Sequence, residues 1–253
     1  MDLYLRGKNA IVTGGTRGIG RAIAKLLAAE GCNVALCARH QDAVDETVAA
    51  LAGQGVRSWG STVDVSDIAA LRSWVPEAEQ ALGGLDIFVA NVSALAQSMD
   101  DASWRRSWEI DIMGTVAGVE ATIPLLEVSK AGAIVVVGTT GAIEIAGPPR
   151  PYASAKAALV PYVKALARNL AGKNIRANMV SPGNVYFEGG VWNTVEQNNP
   201  ALFQTMLSRN PMGRMGTPDE VANAVVFLAS PRASFITGTN LIIDGALTQR
   251  VQF

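Results

Sequence analysis

TGGTRGIG, Thr13 to Gly20, stands between the apolar run NAIVT (Asn9 to Thr13) and a stretch of helical spacing from Gly18 to Glu30. Strand, glycine turn and helix in that order make a phosphate-binding device. Gly14 permits the tight turn, Gly18 lets a phosphate approach the backbone, and Gly20 lets helix and strand pack closely. Backbone amides at the helix start then face a pyrophosphate, aided by the helix dipole. Thr16, Arg17 and Ile19 lie in the same loop and are candidate cofactor contacts. Glycine turns are common; the flanking strand and helix make this one a dinucleotide site.

Outward from the turn, short β-branched runs alternate with longer helix-period segments, the pattern of βα units on a parallel sheet. Seven strands are expected, at Asn9 to Thr13, Asn33 to Cys37, Arg57 to Val63, Leu85 to Ala90, Ala133 to Gly138, Arg176 to Ser181 and Asn240 to Ile243. Helices are expected at Gly18 to Glu30, Gln41 to Gly53, Ile68 to Leu82, Ser103 to Leu126, Tyr152 to Ala171 and Pro218 to Ala229. Asp67 and Thr217 stand where N-caps belong, and Pro218 suits a first helical turn. Right-handed βα units with helices on both faces give an α/β, doubly wound, Rossmann-type fold, which binds ligands beyond the strands' carboxyl ends. No Pro/Gly/Ser-rich linker divides the chain, so residues 1–253 read as one domain, with 184–216 as a substrate-binding lid. That stretch carries Tyr186, Phe187, Trp192, Phe203, Met206 and Met212. A break of this size is a binding element or a plain helical excursion packed on the body.

Composition narrows the function classes. Among 253 residues, 49% are hydrophobic and 17% charged, a globular balance without low-complexity tracts. With 21 basic and 22 acidic residues, the net charge of -1 gives no basic field for nucleic acid or anionic lipid. The start, MDLYLRGKNAIVTGG, reads as neither a signal peptide nor a spanning helix, so a cytoplasmic location and no membrane partner are expected. Cys32 and Cys37 lack C-x-x-C spacing and read as small core residues. His40 is the only histidine, which excludes a multi-histidine metal site and any serine-histidine triad that His40 does not serve. No metal is expected.

The chemistry is expected at Tyr152 and Lys156, four apart in PYASAKAALVPYVKAL and therefore on one helix face. A phenol ionises near pH ~10, and lowering that by ~3 units takes about 4 kcal/mol. An ammonium about 4 Å away at an effective dielectric of about 20 supplies roughly that amount. Such a tyrosine exchanges a proton with a carbonyl oxygen or an alcohol near neutral pH. At the end of the second strand, NVALCARHQD, Ala38 and Arg39 stand where a carboxylate would bind a ribose 2′-hydroxyl. Arg39, with Arg17 as a second guanidinium, favours a 2′-phosphate and hence NADP(H).

Taken in order, TGGTRGIG, VDVSD (Val63 to Asp67), LDIFVAN (Leu85 to Asn91), YASAK, RANMVSPG and GRMGTPDEVANAVVFLAS with ITGTNLIIDG resemble the short-chain dehydrogenase/reductase family over nearly the whole chain. The resemblance implies hydride transfer between a ketone and a secondary alcohol with a nicotinamide cofactor. It also implies that Asp64 and Val65 flank the adenine, that Asn91 lines the cofactor cleft, and that Pro182, Gly183 and Val185 lie at the nicotinamide. Lys156 would hold the nicotinamide ribose as well as tune Tyr152. Relatives are commonly tetramers joined through the long helices and the last strand, so a homotetramer is expected.

Several positions depart from the family pattern. Thr139 stands where a serine usually polarises the substrate oxygen; the hydroxyl is kept, and the added methyl restricts χ1. Asp111, in WEIDIMGT, replaces an asparagine that usually supports a water relay to the lysine, and as an ionised carboxylate it only accepts hydrogen bonds. Its other reading is a cap or helix kink. Ser93 ends an A-N-V-S segment where N-N-A-G is commoner, and Phe187 stands where a threonine often meets the carboxamide. A pocket framed by Thr139, Tyr152, residues 93–97, residues 144–149 and the lid suits an uncharged or partly apolar ketone or secondary alcohol, with Glu144 and Arg150 as rim charges. The rival reading is a dinucleotide-binding regulatory or scaffold protein with impaired catalysis, on the strength of Thr139, Asp111 and Ser93.

Overall fold

Strands buried on both faces organise the chain, as parallel sheets require. In the computed structural model, which describes residues 2–145 and 147–251, β1 (Asn9–Thr13) is buried at every position. It is joined by β2 (Asn33–Ala38), β3 (Ser58–Thr62), β4 (Ile87–Ala90), β5 (Ala133–Val137), β6 (Arg176–Pro182) and β7 (Asn240–Ile243). All pair in parallel in the order β3-β2-β1-β4-β5-β6-β7. The order reverses between β1 and β4, where this architecture opens its ligand crevice.

Nine α-helices are seen among the described residues: α1 (Gly18–Ala29), α2 (Gln41–Ala52), α3 (Ile68–Leu82), α4 (Asp101–Ser107), α5 (Gly114–Ser129), α6 (Pro151–Leu170), α7 (Val191–Asn198), α8 (Pro200–Ser208) and α9 (Pro218–Ala229). Period-2 alternation along the strands feeds two cores. Ile11, Phe88, Ile134 and Val136 pack beneath α3, α5 and α6, while Ala10, Val12, Val135 and Val137 pack beneath α1, α2 and α9. Cys32 and Cys37 lie free in these cores, each thiol pushed up to about 12 by burial. The expected caps form: the Asp67 carboxylate accepts from the Ala70 amide at 3.0 Å, and Thr217 with Glu220 makes a reciprocal capping box.

Three expectations are corrected. The fourth strand begins at Ile87, not Leu85, because the Asp86 carboxylate gathers Lys8 Nζ and the Asn9 amide at 2.9 Å each and Ser129 Oγ at 2.6 Å. The long helix runs from Asp101 to Ser129 and is interrupted by a π-helical turn, Trp108–Met113, with Asp111 buried in it. Its length and apolarity would suffice to cross a membrane, but Ile110, Ala117, Val119 and Leu126 are spent on the core. The segment 184–216 is helical as well as lid-like. Its ends are pinned by Tyr186 N to Gly216 O and Gly216 N to Asn184 O, both 2.9 Å, and α7 and α8 stand between them. The Tyr186 hydroxyl donates to Glu196 at 2.5 Å, and its ring meets the Phe203 ring edge-on at 5.9 Å, which ties the lid helices to the strand exit.

Candidate active site

Every predicted site residue lies at or just past a strand's carboxyl end or on a helix facing that end. The glycine turn follows β1, Arg39 follows β2, Asp64 and Val65 follow β3, Asn91 follows β4, Thr139 follows β5, and Pro182 and Gly183 close β6. One crevice therefore collects residues spread over 170 positions of sequence, Gly14 to Gly183 among them, to within about that span.

On α6, Lys156 is buried, and its Nζ donates to the carbonyls of Val92 at 3.2 Å and Val137 at 3.1 Å. Asp111 Oδ1 stands 3.5 Å from the same Nζ, and both side chains are almost wholly covered, 1% and 0% exposed. The other carboxylate oxygen, Oδ2, accepts from the Ala94 amide at 3.4 Å, and the Asp111 carbonyl accepts from Thr115 Oγ1 at 2.8 Å. Burial lowers the ammonium's proton affinity and Asp111 raises it again. Two N–H directions of Lys156 are taken up by backbone carbonyls and the third is left for the Asp111 side or for a ligand hydroxyl.

Burial works against the lysine-acidified tyrosine expected from the sequence. Burial pushes the Tyr152 phenol up to about 12, a hydrogen bond with Thr139 pulls it down, and the Asp111 carboxylate pushes it further up. The side chain is half-buried and borders the open cleft, so water there moderates the rise. Burial is the main cause of the rise, and Asp111 adds to it: a carboxylate beside the lysine opposes the field that the spacing alone promised. The Thr139 Oγ1 accepts from the Gly141 amide at 3.2 Å, as the cap of a short 3-10 turn at Thr140–Ala142, and its own proton remains available to donate on the Tyr152 side.

The residues past β1 fit a dinucleotide. Gly14 adopts φ +67°, and a Cβ at Gly20 would lie 2.1 Å from the Gly14 carbonyl, so the turn closes only with glycine there. Asn91 Nδ2 braces the turn by donating to the carbonyls of Thr13 at 3.3 Å and Gly14 at 3.1 Å. Arg17 and Arg39 are exposed, and among the described residues neither forms an ion pair. The Phe187 ring packs against the glycine turn: a Cβ on Gly18 would lie 2.5 Å from it.

Comparison with known proteins decides the family. A family model described as enoyl-(acyl carrier protein) reductase matches residues 14–248. The isoepoxydon dehydrogenase of Penicillium expansum is 38% identical over 98% of both chains. The 2,3-dihydro-2,3-dihydroxybenzoate dehydrogenase of Bacillus subtilis is 32% identical over 96% of this chain and 97% of its own. L-sorbose reductase of Gluconobacter frateurii, solved with NADPH and L-sorbose, superposes with a TM-score of 0.92 at 29% identity, over 99% of this chain and 100% of its own. The chain belongs to the short-chain dehydrogenase/reductase family.

As a member of the short-chain dehydrogenase/reductase family it is an oxidoreductase of ketones and alcohols that uses a nicotinamide dinucleotide. Two family features escaped the sequence. The carbonyls of Val92 and Val137 carry no side-chain signal, yet they fix Lys156. The contact between Phe187 and Gly18 joins residues far apart in sequence, and only the departure from threonine hinted at it. The rim charges are also accounted for: Arg150 Nη1 donates to Gln97 Oε1 at 2.6 Å, and Glu144 Oε2 accepts from the amides of Gln249 at 2.9 Å and Arg250 at 3.2 Å. They clasp loops together, as rim charges.

Proposed function

We propose that the protein is an NADP(H)-dependent carbonyl reductase and alcohol dehydrogenase in which Tyr152 is the general acid and base. The observation that carries this reading is the convergence of Tyr152, its hydrogen-bonded partner Thr139 and buried Lys156 beside the glycine turn. A bound nicotinamide dinucleotide supplies or takes up the hydride at the carbonyl carbon. Tyr152 gives its proton to the carbonyl oxygen in reduction and receives one from the alcohol in oxidation. The Thr139 hydroxyl holds that oxygen, and Lys156 positions the tyrosine's surroundings from below. NADP(H) is favoured by Arg17 and Arg39 at the ends of the turn and of β2, with Ala38 where a carboxylate would repel the 2′-phosphate. Phe187, whose ring lies against Gly18, would have to yield if a pyrophosphate were held at this turn.

The substrate class we favour is a partly apolar alicyclic ketone or ring alcohol. The name of the Bacillus relative specifies a dihydroxylated dihydrobenzoate ring, and the lid contributes apolar and aromatic walls. We further propose a cytoplasmic homotetramer. Trp108 and Val128 on the α4 to α5 helix are 59% and 79% exposed, and β7 is a sheet edge.

A panel of alicyclic, 3-oxoacyl and steroid ketones, followed by nicotinamide absorbance with NADPH and with NADH, tests the reading. NADPH is expected to be preferred, and a clear preference for NADH sinks the arginine argument. Tyr152→Phe is expected to lower kcat roughly 10²- to 10⁴-fold with cofactor binding retained. The rival, a dinucleotide binder that has lost catalysis, draws support from Thr139, Asp111 and Ser93; it is favoured if NADPH binds and no ketone is turned over.

A further inference from the structure

Asp111 is a buried carboxylate at a position where its relatives commonly carry a neutral amide, and it is set against the one cation expected to acidify the catalytic phenol. Its Oδ1 makes no hydrogen bond among the described residues and faces Lys156 Nζ at 3.5 Å; its side chain is 0% exposed. A helical anomaly puts it there, because the π turn Trp108–Met113 packs Asp111 against α6 while the carbonyls of Val92 and Val137 hold the ammonium in place. The arrangement is therefore built, not incidental to a mobile surface chain.

Resting on the reading of Tyr152 as the acid and base, we propose that Asp111 is a counter-charge that cancels the field of Lys156 at Tyr152 and thereby suits the site to ketone reduction at neutral pH, leaving alcohol oxidation to alkaline conditions. In reduction the Tyr152 Oη–H bond breaks and its proton goes to the carbonyl oxygen, while hydride from the reduced nicotinamide goes to the carbonyl carbon. In oxidation both move in reverse, which requires a tyrosinate to receive the alcohol proton. A nearby cation stabilises tyrosinate, and a nearby anion stabilises the phenol. With Asp111 and Lys156 3.5 Å apart, the phenol persists above neutrality: burial raises it most, and the Asp111 carboxylate adds in the same direction.

The other groups around the pocket do not compete. Tyr152 and Lys156 come from α6, Asp111 from the π turn, the Thr139 hydroxyl from the end of β5, and neutral Asn91 and Ser93 from the end of β4. Arg105, Arg106 and Glu109 on the long helix and Arg150 at the mouth are exposed to solvent, where screening weakens them.

The test follows Tyr152 directly. Protein carrying carbon-13 in its tyrosine rings is titrated by NMR, and Tyr152→Phe assigns the resonance among the four tyrosines. The wild-type phenol is expected to ionise above about 10, the ordinary value, and in Asp111→Asn to move down by about 1–3 units. The acid limb of the pH profile for alcohol oxidation moves with it, raising kcat/KM at neutral pH about tenfold per unit, whereas a carboxylate that only braces the helix would lower the rate at every pH. A wild-type Tyr152 titrating near neutrality overturns the proposal and needs no folded variant. An unchanged midpoint in folded Asp111→Asn overturns it too. Neither titration requires a substrate, so failure of the counter-charge is separable from failure of the enzymatic reading, which Tyr152→Phe turnover judges.

Discussion

At the residue scale the site depends on where single hydroxyls and charges point. Thr139 accepts from the Gly141 amide and retains its proton as a donor on the Tyr152 side of the site. Thr139→Val removes that donor and is expected to lower kcat for ketone reduction by about 10²-fold, the usual cost of one such donor. Thr139→Ser is expected to recover most of the loss, and cofactor KM should stay constant in both; steady-state kinetics on the best ketone checks this. The sequence displayed these residue types correctly. It could not display their electrostatics, because the Tyr152 and Lys156 spacing is local, whereas the burial of both and the Asp111 carboxylate that opposes the lysine are set by packing against another helix.

At the element scale the strands and helices were legible because their causes are local: burial of alternate β-branched residues, caps at Asp67 and Thr217, and glycine at the turn after β1. The π turn was not, since an extra residue in a helical turn leaves the apolar spacing nearly intact. One element junction deserves a mutational test. Arg176, entering β6, donates to the carbonyls of Leu228 at 2.6 Å, Ala229 at 3.1 Å and Ser230 at 3.0 Å, at the end of α9. Burial lowers its guanidinium to about 10, which leaves it charged at neutral pH. Arg176→Met strands those carbonyls at a helix C-terminus and is expected to destabilise the fold by about 3 kcal/mol, read as a lower urea midpoint with little change in kcat.

At the scale of the whole molecule, the pocket mouth is closed by segments from distant parts of the chain: Gln97 to Arg150 on one side, Glu144 to the tail amides of Gln249 and Arg250 on the other. Glu144→Ala releases the tail from this rim. It is expected to raise ketone KM about three- to tenfold with kcat little changed, since loss of a charge-assisted hydrogen bond there weakens ground-state and transition-state binding alike; an unaltered KM would show that the tail does not shape the pocket. By itself the sequence determined the doubly wound sheet, the glycine turn and the residue types at the crevice, because period, turn chemistry and capping are written within a few residues of one another. Tertiary structure alone decided that Phe187 covers Gly18, that Asp111 faces Lys156 and that the tail closes the rim. Those depend on distances between segments far apart in the chain, and a charge acts through distance in space, with no regard for separation in sequence.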